Sequence, residues 1–165
     1  MMAVSIHAWV EALEQAAIEV GELALGFEGC AVISREVTAP KGVSGAYLPL
    51  FGGSGESLYI GWLASRESSQ ALARGLLGLT ANEELPPDDI ADAMGEVVNI
   101  LAGGLKRRIL SSVHPLALGL PIYSPVPIVP LHSVTHTCLF RGGGFESHII
   151  LVHAGVNPGV EARSR

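Results

Sequence analysis

Between Arg108 and Arg141 the chain carries no Asp, Glu, Lys or Arg, and the same interval holds Pro115, Pro121, Pro125, Pro127 and Pro130. A segment that long without charge has to leave water, either inside its own monomer or beneath a second subunit. Its prolines rule out a continuous helix, membrane-spanning helices included, because each removes a backbone donor and clashes with the preceding turn. The segment therefore reads as strands and loops. One strand is expected near Leu116 to Tyr123 and another from Ser133 to Phe140, followed by a turn at Gly142 to Gly144 and a returning strand from Phe145 to His153.

The remaining chain supplies what such a segment can pack against. From Ser5 to about Leu25, apolar residues recur at Ile6, Trp9, Val10, Leu13, Ala17, Val20 and Leu23 with glutamates between them, which predicts an amphipathic helix. Short β-rich runs follow at Cys30 to Val37, Ala46 to Phe51 and Leu58 to Leu63, and three in succession suggest an antiparallel meander. Arg66 to Leu79 reads as a second helix, and Thr80 with Glu83 has capping-box spacing for a short helical turn. A long helix then runs from a cap at Asp88 or Asp89 to about Ser111, with Lys106, Arg107 and Arg108 at the end where the helix dipole favours cations.

With 165 residues, 48% of them hydrophobic, one domain over residues 1–155 is expected, with residues 156–165 as a disordered tail. Sixteen acidic against ten basic residues and no basic stripe argue against nucleic acid as a partner. Cys30 and Cys138 are isolated, so neither a disulfide framework nor a CxxC metal pair is expected, and a reducing cytoplasm fits. The N-terminal MMAVSIHAWVEALEQ lacks the basic leader and unbroken apolar core of a secretory signal.

Several chemistries find no support. FGGSGES and RGGGF lack the GK[ST] ending of a phosphate loop and read as turns. No GxSxG elbow or HExxH occurs. His132, His136, Cys138, His148 and His153 crowd the last two strands, and His136 with Cys138 would share a strand face as two metal ligands could. Their spacing matches no ligand pattern, and ordinary sheet positions are the favoured reading, with a structural metal as the minor alternative.

The long helix is more specific. At about 100° per residue, Asp92, Glu96, Asn99 and Gly103 fall within roughly 60° of one another, while Ile90, Met94, Val97, Val98, Leu101, Leu105 and Ile109 take the opposite arc. A solvated polar face is the ordinary explanation for such a stripe. Gly95 and Gly103 border it and Gly104 follows, and each interior helical glycine costs about 0.5–1 kcal/mol relative to alanine. Small residues beside an exposed Glu and Asn suggest a docking face on which another backbone comes close.

The segment DIADAMGEVVNILAGGLKRRI, with LALGLP after it, resembles the CheX and CheC family of chemotaxis phosphatases. That family's motif is an Asp or Ser, three residues, Glu, two residues, Asn and then a proline about twenty-two residues on. Asp92, Glu96 and Asn99 fit it, and Pro121 arrives one residue early. The first helix offers no second ExxN, which is similar to CheX rather than to members with two such helices. The resemblance implies an α+β fold, a mostly antiparallel sheet with long amphipathic helices packed on one face. It also implies hydrolysis of the aspartyl phosphate on a response-regulator receiver domain, the Mg2+ being supplied by that partner and no cofactor being the chain's own.

Phosphoryl transfer needs a water held in line and charge stabilised around it more than covalent help. In that scheme Asn99 orients the water, and Glu96 docks on the partner's lysine, since an ordinary carboxylate is a weak base. Asp92 and Pro121 hold the helix and its neighbouring loop, and Gly95 and Gly103 admit the partner. A homodimer through the uncharged segment is expected, with a non-catalytic receiver-binding or flagellar-switch-like scaffold as the alternative function.

Overall fold

In a computed structural model, which describes residues 4–52, 57–109 and 116–155, Ser5 opens the first helix by accepting the Ala8 amide on its hydroxyl at 3.2 Å. This helix, α1 (Ile6–Glu19), buries Trp9, Val10, Leu13, Ala16 and Ala17 and continues into a π-helical turn over Val20–Ala24. There follow β1 (Ala31–Glu36), β2 (Ser44–Phe51), β3 (Ser57–Ala64), α2 (Arg66–Leu77) and α3 (Pro87–Ile109). The chain ends with β4 (Ala117–Leu118), β5 (Ile122–Ser124), β6 (Ser133–Gly142) and β7 (Phe145–Ala154). The class is α+β, as expected.

All pairings are antiparallel, in the order β1-β6-β7-β3-β2, with the short β4 and β5 both laid along the outer edge of β2. The expected three-strand meander is corrected by this order. β2 and β3 do form a hairpin, but β1 pairs with β6, Ala31 opposite Arg141 and Glu36 opposite Thr137. The edge of β2 that a meander would use is filled by β4 and β5. β1 is instead tied to α1, where both Glu14 oxygens accept from Arg35 at 2.5 Å.

Alternation along the strands sends Leu48, Leu50, Ile60, Trp62, Phe140, Ile149 and Leu151 to the face covered by the helices, where they join the main core. Trp62 packs edge-to-face on Phe140 with ring centroids 5.0 Å apart and donates its indole N–H to Ser147 Oγ at 2.8 Å. On the other face, Val43, Tyr47, Leu63, Ile150 and Val152 form a smaller cluster, over which the Ile128 amide donates to Tyr47 Oη at 2.7 Å.

Three local expectations are corrected. Neither Asp88 nor Asp89 caps α3: Pro87 takes the first helical position, Ile90 N donates to Pro86 O, and the two aspartates lie in the first turn. Glu83 reaches back to accept from the Thr80 amide and hydroxyl, but the Glu83 amide donates to the Thr80 carbonyl and not to its hydroxyl, so the pair closes a turn rather than capping a helical turn. The strand read from Leu116 to Tyr123 is broken at Gly119–Pro121. There the Gly119 amide turns to Pro49 O at 2.8 Å, and a Cβ at Gly119 would lie 2.4 Å from Pro49 Cγ. The last expected turn of α3, to Ser111, and the tail 156–165 lie outside the described residues.

Burial within the monomer accounts for only part of the uncharged segment. Thr135, Thr137, Cys138 and Phe140 are buried, whereas Leu120 is 82% exposed, Leu131 90%, and Ile122, Val126 and Val129 are also exposed. Among the described residues, no helix is long and apolar enough to cross a membrane.

Candidate functional site

α3 is amphipathic in the sense its sequence predicts. Met94, Val97, Val98, Leu101 and Leu105 are fully buried, and Ile90 and Ile109 nearly so, while Asp92, Glu96 and Asn99 are exposed. Burying one arc against β2, α1 and α2 fixes the rotation of the helix, and that rotation aims the other arc outward. Among the described residues, the side chains of Asp92, Glu96 and Asn99 make no hydrogen bond or ion pair. A carboxylate and a neutral amide thus stand one turn apart with all their hydrogen-bonding capacity available.

These side chains border a groove of about 260 Å³ lined by Ala91, Asp92, Gly95, Glu96 and Asn99 of α3 and by Pro121 and Tyr123 from the edge of the sheet. The bulge at Gly119–Pro121 builds the far wall: leaving the β2 ladder there carries Pro121 toward the helix. A Cβ placed on Gly95 would sit 3.7 Å from Pro121 Cβ and Cγ. Of the residues singled out in the sequence, Asp92, Gly95, Glu96, Asn99 and Pro121 come together here. Gly103 lies one turn beyond Asn99 and outside the groove's lining, where an added Cβ would meet only the Arg107 guanidinium at 3.9 Å.

Gly104 belongs to a different surface. It is buried, and a Cβ there would stand 3.3 Å from Ala16 Cβ, so its smallness lets α1 approach α3 and does not serve docking. One turn further along, at the same end of the helix pair, Glu19 accepts from Arg107 at 3.0 Å and from Arg108; the Arg108 guanidinium holds the Glu19 carboxyl below its usual range.

Sequence reasoning missed Ala91 and Tyr123. Ala91 borders the stripe and has no chemistry to announce it. Tyr123 is placed by the β5–β2 pairing, opposite Ala46, and its hydroxyl donates to Ser44 Oγ at 3.1 Å. Only its position two residues after Pro121 in the uncharged segment could have pointed to it.

Among the described residues, no group of three or more His, Cys, Asp or Glu side chains could hold a metal ion. Cys138 donates its thiol to Glu14 Oε1 at 3.4 Å, and burial, reinforced by the Glu14 charge, pushes its pKa up to about 12, so the thiolate form a metal needs is suppressed.

No family model and no curated protein sequence matches the chain. Solved structures do. A CheX chemotaxis protein from Desulfovibrio desulfuricans superposes with a TM-score of 0.75 at 16% identity, over 88% of this chain and 98% of that one. The CheX–CheY–BeF3–Mg complex from Borrelia burgdorferi matches with a TM-score of 0.69 at 18% identity, over 88% and 96%. The middle domain of FliM from H. pylori matches with 0.59 at 9% identity, over 92% and 94%. At these identities the likeness shows the fold, which this chain shares with CheX and CheC-like proteins.

Proposed function

We propose that this chain is a CheX-like phosphatase that hydrolyses the aspartyl phosphate of a CheY-like receiver domain. The observation that carries the reading is the groove itself: Asp92, Glu96 and Asn99, the residues that resemble the family's motif, share one exposed wall, and Pro121 forms the wall facing it. The fold supports it too, since a CheX of the same architecture has been solved in a complex with CheY, BeF3 and Mg.

Asn99, neutral and unengaged, accepts a hydrogen bond from the attacking water on its amide oxygen and holds the water in line without repelling the phosphoryl group. Glu96, one turn earlier, pairs with the lysine beside the receiver's phosphorylation site and fixes the depth of insertion. Asp92 and Pro121 keep the helix and the bulge in register, and Gly95 and Gly103 leave room for the partner's backbone. The Mg2+ comes with the receiver, so the chain needs no metal of its own. The reaction takes place in the cytoplasm. A homodimer forms where Val126, Val129 and Leu131 are exposed on the uncharged segment, and sedimentation that shows only monomer at micromolar concentration overturns that part.

The test is the decay of receiver phosphorylation with the unaltered chain and with Asn99→Ala. Faster decay that the variant abolishes supports the phosphatase; no acceleration with any receiver favours the second reading. That reading, a non-catalytic receiver-binding or flagellar-switch-like scaffold, draws on the likeness to the FliM middle domain.

A further inference from the structure

Beside the groove lies a second depression of about 320 Å³, at the start of α2, lined by Ser44, Arg66, Ser69, Gln70, Leu85, Pro87, Ile90 and Tyr123. Tyr123 lines both and forms the partition between them. Three observations bear on what this pocket takes.

Its polar groups are unspent. Ser69 is 2% exposed, and its Oγ has no hydrogen-bond partner, which is an expensive state for a buried hydroxyl unless something outside the chain completes it. Ser44 accepts from Tyr123 and so keeps its own proton to give. Arg66 is the one ionised residue in the lining, and its side chain is 85% exposed. Its nearest acid, Glu84, is also largely exposed and stands 3.8 Å away, a contact worth little in water.

The wall is fixed as well. Gln70 Nε2 donates to Leu85 O at 2.9 Å, and Leu85 N donates to Gln70 Oε1 at 3.0 Å, so both ends of the amide are engaged in holding the linker before α3 against α2. Arg66, Ser44, Ser69 and the first turn of α2, where the helix dipole is positive, therefore line one recess beside Leu85, Pro87 and Ile90.

The position fits a single contact. Ile90 and Asn99 are nine residues apart, about 13 Å along the helix axis, and an ordinary interface of about 800 Å² per partner spans both.

We propose that this pocket is a second anchoring subsite for the same receiver domain, taking a carboxylate side chain of the partner onto Arg66, with Ser44 and Ser69 as the neutral donors. The inference rests on the receiver reading above. It gives the docking face two opposite poles: Glu96 takes a cation of the partner, and Arg66 takes an anion. Opposed poles fix orientation, because a receiver rotated on the groove places like charges together. Arg66 acts on affinity and register and touches no reacting atom.

The test is calorimetric binding of a beryllofluoride-loaded receiver domain to the Asn99→Ala chain, alone and combined with Arg66→Met or Arg66→Glu. Arg66 is exposed, so neither change threatens folding. The expected result is roughly tenfold weaker binding with Arg66→Met and a greater loss with Arg66→Glu. One Asp→Asn or Glu→Gln change in the receiver should reproduce the Met result and be non-additive with it. In the active chain, Arg66→Met should raise KM more than it lowers kcat. Equal affinity with and without Arg66, where the Asn99→Ala chain does bind, overturns the subsite and leaves the receiver reading standing. Weakened binding that is additive with every carboxylate change in the receiver also overturns it. Failure of the unaltered chain and the Asn99→Ala chain alike to bind any receiver overturns both.

Discussion

The two arcs of α3 are made of the same backbone and differ in what holds them. On the inner arc, Val97, Val98, Leu101 and Leu105 have no exposed surface and touch β2, α1 and α2. On the outer arc, Asp92, Glu96 and Asn99 touch solvent and make no intramolecular bond among the described residues. The fold depends on the first set and, apart from the support proposed for Asp92, not on the second. Residues that folding does not need are free to be chosen for a partner, so a stripe of unengaged polar groups on a firmly packed helix identifies a working surface better than either property alone.

That division can be broken by substitution, and the inner arc gives the largest effect. Leu101→Ala should destabilise the chain by about 2–5 kcal/mol, read by urea unfolding, because a fully buried leucine leaves a cavity that close packing cannot refill. A loss under about 1 kcal/mol would mean that the inner arc is not the support it is taken to be. On the outer arc, Asn99→Ala should slow receiver dephosphorylation on the order of a hundredfold while shifting stability by less than about 0.5 kcal/mol. Equal losses of rate and stability would erase the distinction.

The glycines sharpen it at smaller magnitude. Gly95→Ala and Gly103→Ala meet nothing closer than 3.7 Å and 3.9 Å, so each should stabilise the free chain by about 0.5–1 kcal/mol and weaken receiver binding. Gly104→Ala, 3.3 Å from Ala16, should show no such gain in a thermal melt. The smallest effect concerns pH. His148 is half-buried, and burial drives its imidazole below its ordinary pKa, against the weaker upward pull of Glu36 and Glu146. The unfolded chain therefore takes up a proton first, so this contribution is whole above about pH 6.5 and fades as pH falls toward the folded value. His148→Gln should flatten the fall in melting temperature over that window.

The helices were legible in the sequence because their signals are local. Ser5, the αL glycine Gly78 that ends α2, and the repeating apolar positions of α3 act within a turn or two. The sheet was legible only as strands. Nothing in Ala31 to Glu36 states that its neighbour lies a hundred residues on, and the rule that successive strands pair pointed to the wrong edge. The site divides the same way. Asp92, Glu96 and Asn99 could be placed on one face by counting, but Pro121 was reached through a resemblance. Tyr123 and Ser69 were not reached at all, because their roles come from pairing and packing between distant segments.

The two hydrogen bonds between Gln70 and the Leu85 backbone have a kinetic meaning. The stretch from Gly78 to Pro86 connects α2 to α3, and a connection of that length would ordinarily wander and have to be ordered on encounter, slowing association and weakening it. Here the order is present beforehand. In the proposed complex, a receiver that meets this surface would lose its own translation and rotation but wait for no loop. Faster association than a disordered connection allows is the expected consequence of that proposal.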